Sequence, residues 1–342
     1  FAFAAYAPYA ALPTYSNDRD APQRYSLITL DGSLLALTGL FAAWRPHRTF
    51  SVGVGVSALL GSFNSQLALS GCPAQITCAP EDPDWDAVGQ VNVGPIFAPT
   101  GNVGVQFTPH PMVTLGASFQ LPIYVDSKAS MGVRLPSHPF FDGARVVGNT
   151  ANVTFALAPI ARVGVEVRPT PRTRVEVAGV WEGWSVHDQL RIQPEGVRIE
   201  NVRGVGTVDV GPVVLDRGFQ DVFSVRVGGE QDFNVTPQWR LTARAGFAYE
   251  NSATPPGYTS VLTMDADKYV ATVGASLTRA PLRFDFVYAH VFSDTVTVTP
   301  REAQLFPTAP FRTSPNAPRY AVNAGSYDMS INVFGLGVRY GF

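Results

Sequence analysis

The chain has 342 residues, of which 15% are charged, against about 25% in an average globular protein. Its 25 basic and 27 acidic side chains give a formal net charge of −2, which indicates no nucleic-acid-binding surface. The longest uncharged apolar stretch, residues 32 to 44, is well short of the roughly 20 residues of a membrane-spanning helix, which excludes a helical membrane protein.

Alternating apolar and polar residues predict an all-β chain of twelve strands. Five strand–turn–strand units have short turns, and the connections between these units are long and polar or rich in Gly and Pro. This strict alternation is typical of bacterial outer-membrane barrels, which have short periplasmic turns and long extracellular loops. The predicted fold is a transmembrane antiparallel up-and-down β-barrel, with strands at roughly 1–12, 25–45, 48–66, 99–108, 112–126, 151–168, 172–194, 218–234, 238–250, 267–279, 282–297 and 325–342.

The first predicted strand, FAFAAYAPYAAL, is apolar on both faces, and residues 34 to 44 have the same character. Two apolar faces on a barrel strand imply that one of them lines the lumen. Pro8 cannot donate a hydrogen bond to a neighbouring strand. The candidate residues for an apolar lining are Phe3, Tyr6, Pro8, Leu35, Leu37 and Phe41. The alternative is that they contact a plug or simply continue ordinary strands.

The two cysteines of the chain, Cys72 and Cys78, lie in a Gly/Pro-rich loop with the sequence GCPAQITC. Two cysteines so close together in a loop favour a local disulfide in an oxidising compartment. Free thiols remain the alternative, whereas a metal site lacks further His or Cys residues nearby. A bridge of this length would mainly shape the loop.

Residues 165 to 177, VEVRPTPRTRVEV, place valines and charged residues on opposite faces of a hairpin. A soluble sandwich would also alternate in this way. Aromatic residues at strand ends favour the membrane alternative, in which the valines face lipid: Trp44, Phe50, Trp181, Trp239, Tyr269 and Tyr340. The inward charges are then expected to neutralise one another across neighbouring strands: Glu166, Arg168, Arg174, Glu176, Arg226, Glu230, Arg240 and Arg244.

Residues that could carry chemistry are few. Trp184 is expected to project inward near the top of the barrel, where either ligand contact or packing would explain it. The pair His187 and Asp188, and the group of His290, Ser293 and Asp294, lack a nucleophile in a recognised context. Asp265 and Asp267 supply fewer oxygens than calcium takes. The prediction is therefore no enzyme, no metal site and no cofactor.

The C-terminal stretch, FGLGVRYGF, ends in Phe342 and has Tyr340 and Val338 at alternate positions before it. It looks like the C-terminal signal by which the barrel assembly machinery recognises outer-membrane barrels. A strand that ends in Phe by chance is the alternative.

Four segments of the second half resemble, in order, the FadL-type long-chain fatty acid transporter family, which also takes up hydrocarbons. They are VGVEVRPTPRTRVEVAGVWEGWSVHDQLRI, DVFSVRVGGEQDFNVTPQWRLTARAGFAYENSATP, MDADKYVATVGASL and DFVYAHVFSD. The family's barrels have fourteen strands and an N-terminal hatch with an Asn-Pro-Ala motif. This sequence lacks that motif, so we expect an N-terminally truncated segment in which residues 1–342 form the barrel without its hatch and first hairpin.

The resemblance implies passive uptake of hydrophobic molecules, such as long-chain fatty acids or aromatic hydrocarbons, across the outer membrane of a Gram-negative bacterium. It also implies lateral exit through the barrel wall beside a kinked strand, which corresponds here to the strand around Pro8. The expected partners are the hydrophobic substrate, outer-membrane lipid and the assembly machinery. A water-filled general porin and a surface adhesin are the alternatives.

Overall fold

The computed structural model of the protein describes residues 1–7, 14–72, 78–79, 81–309 and 320–341. Two predicted site residues, Pro8 and Phe342, lie outside these residues. None of the helices in the described part has the length and apolar character of a membrane-spanning helix.

The described residues form 21 strands. In chain order they are β1 Ala2–Tyr6, β2 Leu34–His47, β3 Phe50–Ser70, β4 Asp86–His110, β5 Val113–Gln120, β6 Ile123–Arg134, β7 Arg145–Val147, β8 Thr150–Leu157, β9 Ile160–Thr170, β10 Thr173–Glu182, β11 Gln189–Glu195, β12 Arg198–Val202, β13 Gly206–Asp209, β14 Val213–Asp216, β15 Val222–Asn234, β16 Arg240–Glu250, β17 Lys268–Arg279, β18 Leu282–Ser293, β19 Val296–Val298, β20 Gly325–Tyr327 and β21 Ser330–Tyr340.

Short 3₁₀ helices lie in the connections between strands. They span Pro22–Tyr25, Pro83–Trp85, Pro139–Phe141, Trp184–Val186 and Pro256–Tyr258. Four of the five begin with proline, whose fixed φ angle suits the first helical position and whose missing N–H would have no partner there.

Sixteen strands form one antiparallel sheet. Every predicted strand range contains a strand of this sheet, which confirms the all-β antiparallel class. The predicted count of twelve is not confirmed, because several crossings are divided and the long loops add short strands of their own. The sheet is also not closed: within the described residues β1 pairs with β2 alone, and β21 pairs with β18 alone.

The strands meet in tight turns at one end of the sheet, as between β2 and β3 or between β17 and β18. At the other end, β3 and β4 run on for 21 and 25 residues. A crossing strand of an outer-membrane barrel needs only about 9–11 residues. The upper halves of β3 and β4 therefore extend beyond the membrane on the long-loop side.

Proline interrupts three neighbouring crossings at a similar height, and we call this line the crease. It passes through Pro95 inside β4, Pro122 between β5 and β6, and Pro159 between β8 and β9. At each proline, the residues that face inward change from odd-numbered positions above it to even-numbered positions below it. In β4, for example, Val93 above the proline and Ile96 below it are both buried. Such β-bulges insert a residue and bend the strand. The crease divides the sheet into a lower wall and an upper lobe.

The upper lobe has an apolar core. Buried side chains of β6, β8 and β11 meet those of a second, three-stranded sheet in the order β13, β12, β7. Ile199 of β12 and Val153 of β8 are almost completely buried, and Phe141 closes one side. The core continues down to Leu37 of β2 and Leu59 of β3. The loops above the membrane are thus folded together rather than independent.

A buried polar cluster connects the N-terminal segment to the upper lobe. The guanidinium of Arg24 donates from Nε to Asp86 Oδ2 at 2.8 Å and from Nη2 to the Glu81 carbonyl at 2.6 Å. The hydroxyl of Tyr25 donates to the same carboxylate, and the Arg24 guanidinium stacks over the Tyr25 ring. The residues of this cluster satisfy one another, so it fixes the segment in place.

Candidate functional site

The lower wall has one apolar outer face and one polar inner face, as the alternation predicts. On β15 and β16, exposed Val225, Val227 and Phe247 lie on the outer face, whereas Thr242 on the other parity is buried. Because apolar side chains face lipid in a membrane barrel, the outer face is the membrane surface. The valines of the hairpin at residues 165 to 177 lie on this outer face.

Charged side chains line the lumen from β9 to β18 and pair across neighbouring strands. Arg174 of β10 joins Glu166 of β9 at 3.3 Å and Glu230 of β15 at 3.0 Å. Arg244 of β16 donates to the same Glu230 at 3.0 Å. The other pairs between strands are Arg226–Glu250, Lys268–Glu250 and Arg240–Asp232, whereas Arg168–Glu166 and Arg283–Asp285 each lie within one strand.

The predicted neutralisation across neighbouring strands is found for Glu166, Arg174, Arg226, Glu230, Arg240 and Arg244. Arg168 pairs with Glu166 of its own strand, and Glu176 has no ion pair within the described residues. We call this half of the lumen the charged wall. A cavity of about 940 Å³ lies against this wall, and Arg226, Glu230 and Asp285 are among the residues that line it.

The inner faces of β2 to β5 carry no charge above the short turns, and we call them the neutral wall. They present Leu35, Leu37 and Phe41 on β2, small residues on β3, and hydroxyl and amide side chains on β4 and β5. A cavity of about 480 Å³ lies here, lined by Phe41, Asn102 and Gln120 and, from the adjoining β9, by Arg162. Gly55 leaves the room that Phe41 and Asn102 occupy, because a Cβ there would clash with both side chains.

The structure places some residues of the predicted apolar lining on the inner face and one on the outer face. Leu35 and Leu37 face inward and pack against the apolar core, and Phe41 faces the cavity. Tyr6 shares their face because it pairs with Leu37. Phe3 does not: it pairs with Leu40 on the outer face and is 70% exposed, so its assignment to the lumen is corrected. Phe3 and Tyr6 are three residues apart in one strand and must point to opposite faces.

Trp184 lies in a packed aromatic cluster of the upper lobe. Its indole Nε1 donates to Glu182 at 2.9 Å, and its ring meets those of His187 and Phe219 edge to face. Burial lowers the pKa of His187 to about 4, so its imidazole is neutral at physiological pH. Its Nδ1 lies 2.5 Å from the Ala156 carbonyl. This arrangement indicates packing rather than proton transfer.

The remaining polar residues singled out in the sequence have structural contacts. Asp265 accepts from the Ala253 amide and from Lys268, and Asp267 accepts from Tyr249 and the Ser252 amide. His290 contacts Asn332. No group of three or more potential metal ligands occurs in the described part of the chain.

Two other predicted features concern the covalent and terminal structure. Cys72 and Cys78 are joined by a disulfide whose Cα atoms are 6.1 Å apart. Val338 and Tyr340 of β21 lie exposed on the outer face, but the terminal residue of the predicted assembly signal is not described. The contact with assembly machinery remains a prediction.

Sequence reasoning missed three groups of residues. The polar inner residues Asn102 and Gln120 gave no signal as single amides in strands. The Arg24–Asp86 pair joins positions far apart in sequence. The crease had a signal in its prolines, because proline inside a strand pattern marks an edge or a bulge.

Comparison with known proteins relates this geometry to one family. The family model described as "Outer membrane protein transport protein (OMPP1/FadL/TodX)" matches residues 1–342. A comparison with curated protein sequences finds no match.

Solved structures share the fold at low sequence identity. A FadL homologue of Pseudomonas aeruginosa superposes with a TM-score of 0.70 at 18% identity, over 99% of this chain and 73% of that chain. The toluene transporter TodX of Pseudomonas putida gives 0.51 at 15% identity, over 78% and 66%. The toluene transporter TbuX of Ralstonia pickettii gives 0.50 at 16% identity, over 76% and 63%. The chain therefore spans about two thirds to three quarters of these proteins.

Proposed function

We propose a transport function from one premise: the chain belongs to the outer membrane protein transport protein family (OMPP1/FadL/TodX). The protein is an outer-membrane protein of a Gram-negative bacterium, of the type that transports hydrophobic molecules. The finer proposal is passive uptake of long-chain fatty acids or aromatic hydrocarbons. No cofactor, energy source or catalytic step is part of it.

The observation that carries this proposal is the division of the lumen. On the charged wall, arginines and carboxylates bind one another, so that wall presents polar groups to the lumen. On the neutral wall, Phe41 and Leu37 offer apolar surface, and Arg162 of the adjoining β9 is the charged side chain at the edge of the cavity there. A hydrophobic molecule gains by leaving water for apolar surface. The neutral wall is therefore the path that we propose for the substrate.

Uptake measurements test this proposal against its two alternatives. Vesicles or cells that contain the full-length protein should take up radiolabelled oleate or toluene faster than the same preparation without it. In planar bilayers the protein should conduct ions poorly compared with a general porin. Large conductance without hydrophobic uptake would favour a water-filled porin, and neither activity would favour an adhesin.

For the exit route we propose lateral release through the wall near the end of β1. Pro8, which motivates this route, lies outside the described residues. Support comes from β1 itself, whose ladder with β2 ends at Tyr6. A substrate that leaves sideways there would not need to enter water.

Filling this region should slow release while the protein stays folded. We expect Ala7→Trp in the full-length protein to reduce uptake of labelled oleate or toluene. Ala5→Trp is the control, because Ala5 lies within the paired part of β1, opposite Thr38, whereas Ala7 lies just past its end. Heat-modifiable gel mobility reports folding. Parental uptake by a well-folded Ala7→Trp variant would exclude exit at this place and favour passage straight through the lumen.

A further inference from the structure

Three polar side chains lie together on the lipid-facing surface of the lower wall, where the alternation of the strands predicts apolar residues. Tyr288 and His290 are on β18, and Asn332 is on β21 directly opposite His290. Tyr288 pairs on its other side with Val273, which is on the outer face. Directly paired residues of an antiparallel sheet share a face. We call Tyr288, His290 and Asn332 the polar trio, and it lies on an unbroken part of the wall.

The trio is held together by one shared acceptor. The side-chain oxygen Oδ1 of Asn332 accepts from the Tyr288 hydroxyl and from His290 Nδ1, each at 2.8 Å. Because Oδ1 cannot donate, the proton of a neutral His290 imidazole is on Nδ1, and Nε2 is a free acceptor. The two N–H donors of the Asn332 amide are free as well, because these side chains make no other hydrogen bond within the described residues.

The trio lies just below the extracellular interface of the membrane. Tyr249, Tyr269 and Phe292, paired across three neighbouring strands, form an aromatic row on the outer face. Such aromatic residues mark the interfacial level of outer-membrane barrels. The row that contains His290 and Asn332 is two residues further down, roughly 7 Å along the strand. The short turn between β17 and β18 is at the opposite end of these strands, so the trio faces the outer leaflet.

A groove of about 390 Å³ lies beside the trio on the same lipid-facing surface. It is lined by Ala271, Val273, Tyr288, His290 and Phe292. The small side chain of Ala271 forms its floor, because its two directly paired neighbours, Phe247 and His290, are both larger. Sites for small ligands have volumes of about 300–1,000 Å³. The groove therefore offers apolar surface for a hydrocarbon chain, with the free polar groups of the trio at its side.

The free groups of the trio need a partner, because a polar group without one in hydrocarbon is unfavourable. The trio offers donors on Asn332 and an acceptor on His290. The ester groups of phospholipids accept hydrogen bonds but donate none. A partner that does both needs a hydroxyl or amide group near the top of a hydrocarbon chain. The 3-hydroxyacyl chains of lipopolysaccharide, the glycolipid of the outer leaflet in Gram-negative bacteria, carry such groups.

We propose that the polar trio and the groove form a binding site for one lipopolysaccharide molecule of the outer leaflet. One acyl chain lies in the groove, and its hydroxyl or amide group accepts from the Asn332 amide and donates to His290 Nε2. The site recognises this acyl chain and not a phosphate, since no Lys or Arg is among the described residues that line the groove. The inference depends on the outer-membrane location of the protein and not on its transport function.

Urea unfolding of the full-length protein in phosphatidylcholine vesicles, with and without deep-rough lipopolysaccharide, tests the site. Lipopolysaccharide should stabilise the parental protein, because it binds the folded state, and the size of this effect gives an apparent Kd. In the triple variant Tyr288→Phe, His290→Leu and Asn332→Leu, the apparent Kd should rise on the order of tenfold. Apolar replacements suit a lipid-facing surface, so this variant should fold. His290→Phe alone keeps the Tyr288–Asn332 hydrogen bond and should raise the apparent Kd less.

The matched control is Ser330→Leu, which removes a polar side chain from the same strand and face, two residues above Asn332. Its apparent Kd should equal the parental one, and dephosphorylated lipopolysaccharide should bind the parental protein as tightly as the intact form. Equal apparent Kd values for the parental protein and the triple variant would overturn the site. Equal stabilisation by phosphatidylethanolamine would also overturn it. Crosslinked dimers that the triple variant loses, with no change in apparent Kd, would overturn it in favour of a contact between two copies of the chain.

Discussion

Replacement of Arg24 by Met is expected to destabilise the folded protein by about 3–5 kcal/mol. The side chains of Arg24 and Asp86 are 4% and 8% exposed, and the guanidinium makes the charge pair, two carbonyl contacts and a contact with Tyr25. Without Arg24, the Asp86 carboxylate would remain buried with one hydroxyl donor. The large effect comes from the unpaired charge that remains, not from the strength of the pair.

The surroundings of the Asp86 carboxyl group support this reading of the pair. Burial raises the pKa of the Asp86 carboxyl, and the hydrogen bonds and charge of Arg24 and Tyr25 only partly offset that increase. Burial therefore disfavours the ionised carboxylate of Asp86 even when Arg24 pairs with it. The double variant Arg24→Met with Asp86→Leu should recover most of the lost stability, because apolar replacements of a buried pair are often neutral.

Urea unfolding in lipid vesicles, followed by tryptophan fluorescence, would measure these free energies. Arg19→Met is the matched control, since Arg19 pairs with Asp84 nearby while the two side chains are 58% and 62% exposed. Such exposed pairs contribute about 0–1 kcal/mol. An effect of Arg24→Met no larger than that of Arg19→Met would show that the cluster does not hold the N-terminal segment.

Val273→Arg is expected to destabilise the barrel by about 2–4 kcal/mol, the cost of an arginine at the bilayer midplane. Val273 lies halfway along β17 on the outer face, which contacts lipid, and its side chain is 52% exposed. Its neighbour Thr272 points the other way, into the 940 Å³ cavity of the charged wall. Thr272→Arg should cost clearly less, because water and carboxylates there can receive the guanidinium.

Folding of the two variants into vesicles of the same composition, again by urea titration, would compare them directly. The positions are adjacent, so strand propensity and depth in the membrane are nearly the same. Only the face differs. Equal losses for Val273→Arg and Thr272→Arg would mean that the outer and inner faces have been exchanged.

The sequence was most informative for features that depend on residues close together in the chain. Alternation along one strand placed the valines of β9 and β10 outside and their charges inside, and tight turns located the hairpins. The ion pairs between Glu166, Arg174 and Glu230 could also be predicted, because buried charges need partners on the neighbouring strand.

Features that depend on distant parts of the chain could not be predicted in the same way. Phe3 and Leu37 both lie in segments that are apolar on both faces, so only the pairing of β1 with β2 shows which face is inside. The upper lobe needs contacts between loops far apart in sequence, such as Ile199 with the strands of the main sheet. Trp184 packs against Phe219, which lies in a different connection.

The reversal of parity at the crease has a consequence for how this protein tolerates insertions and deletions. Shifting a strand by one residue normally exchanges its lipid and lumen faces along its whole length. Pro95, Pro122 and Pro159 already absorb one such shift each, since the strand above and the strand below follow opposite alternation. A single added or lost residue beside these prolines would be taken up as a wider or narrower bulge. The surface lobe can therefore change in length and sequence while the membrane wall keeps its alternation.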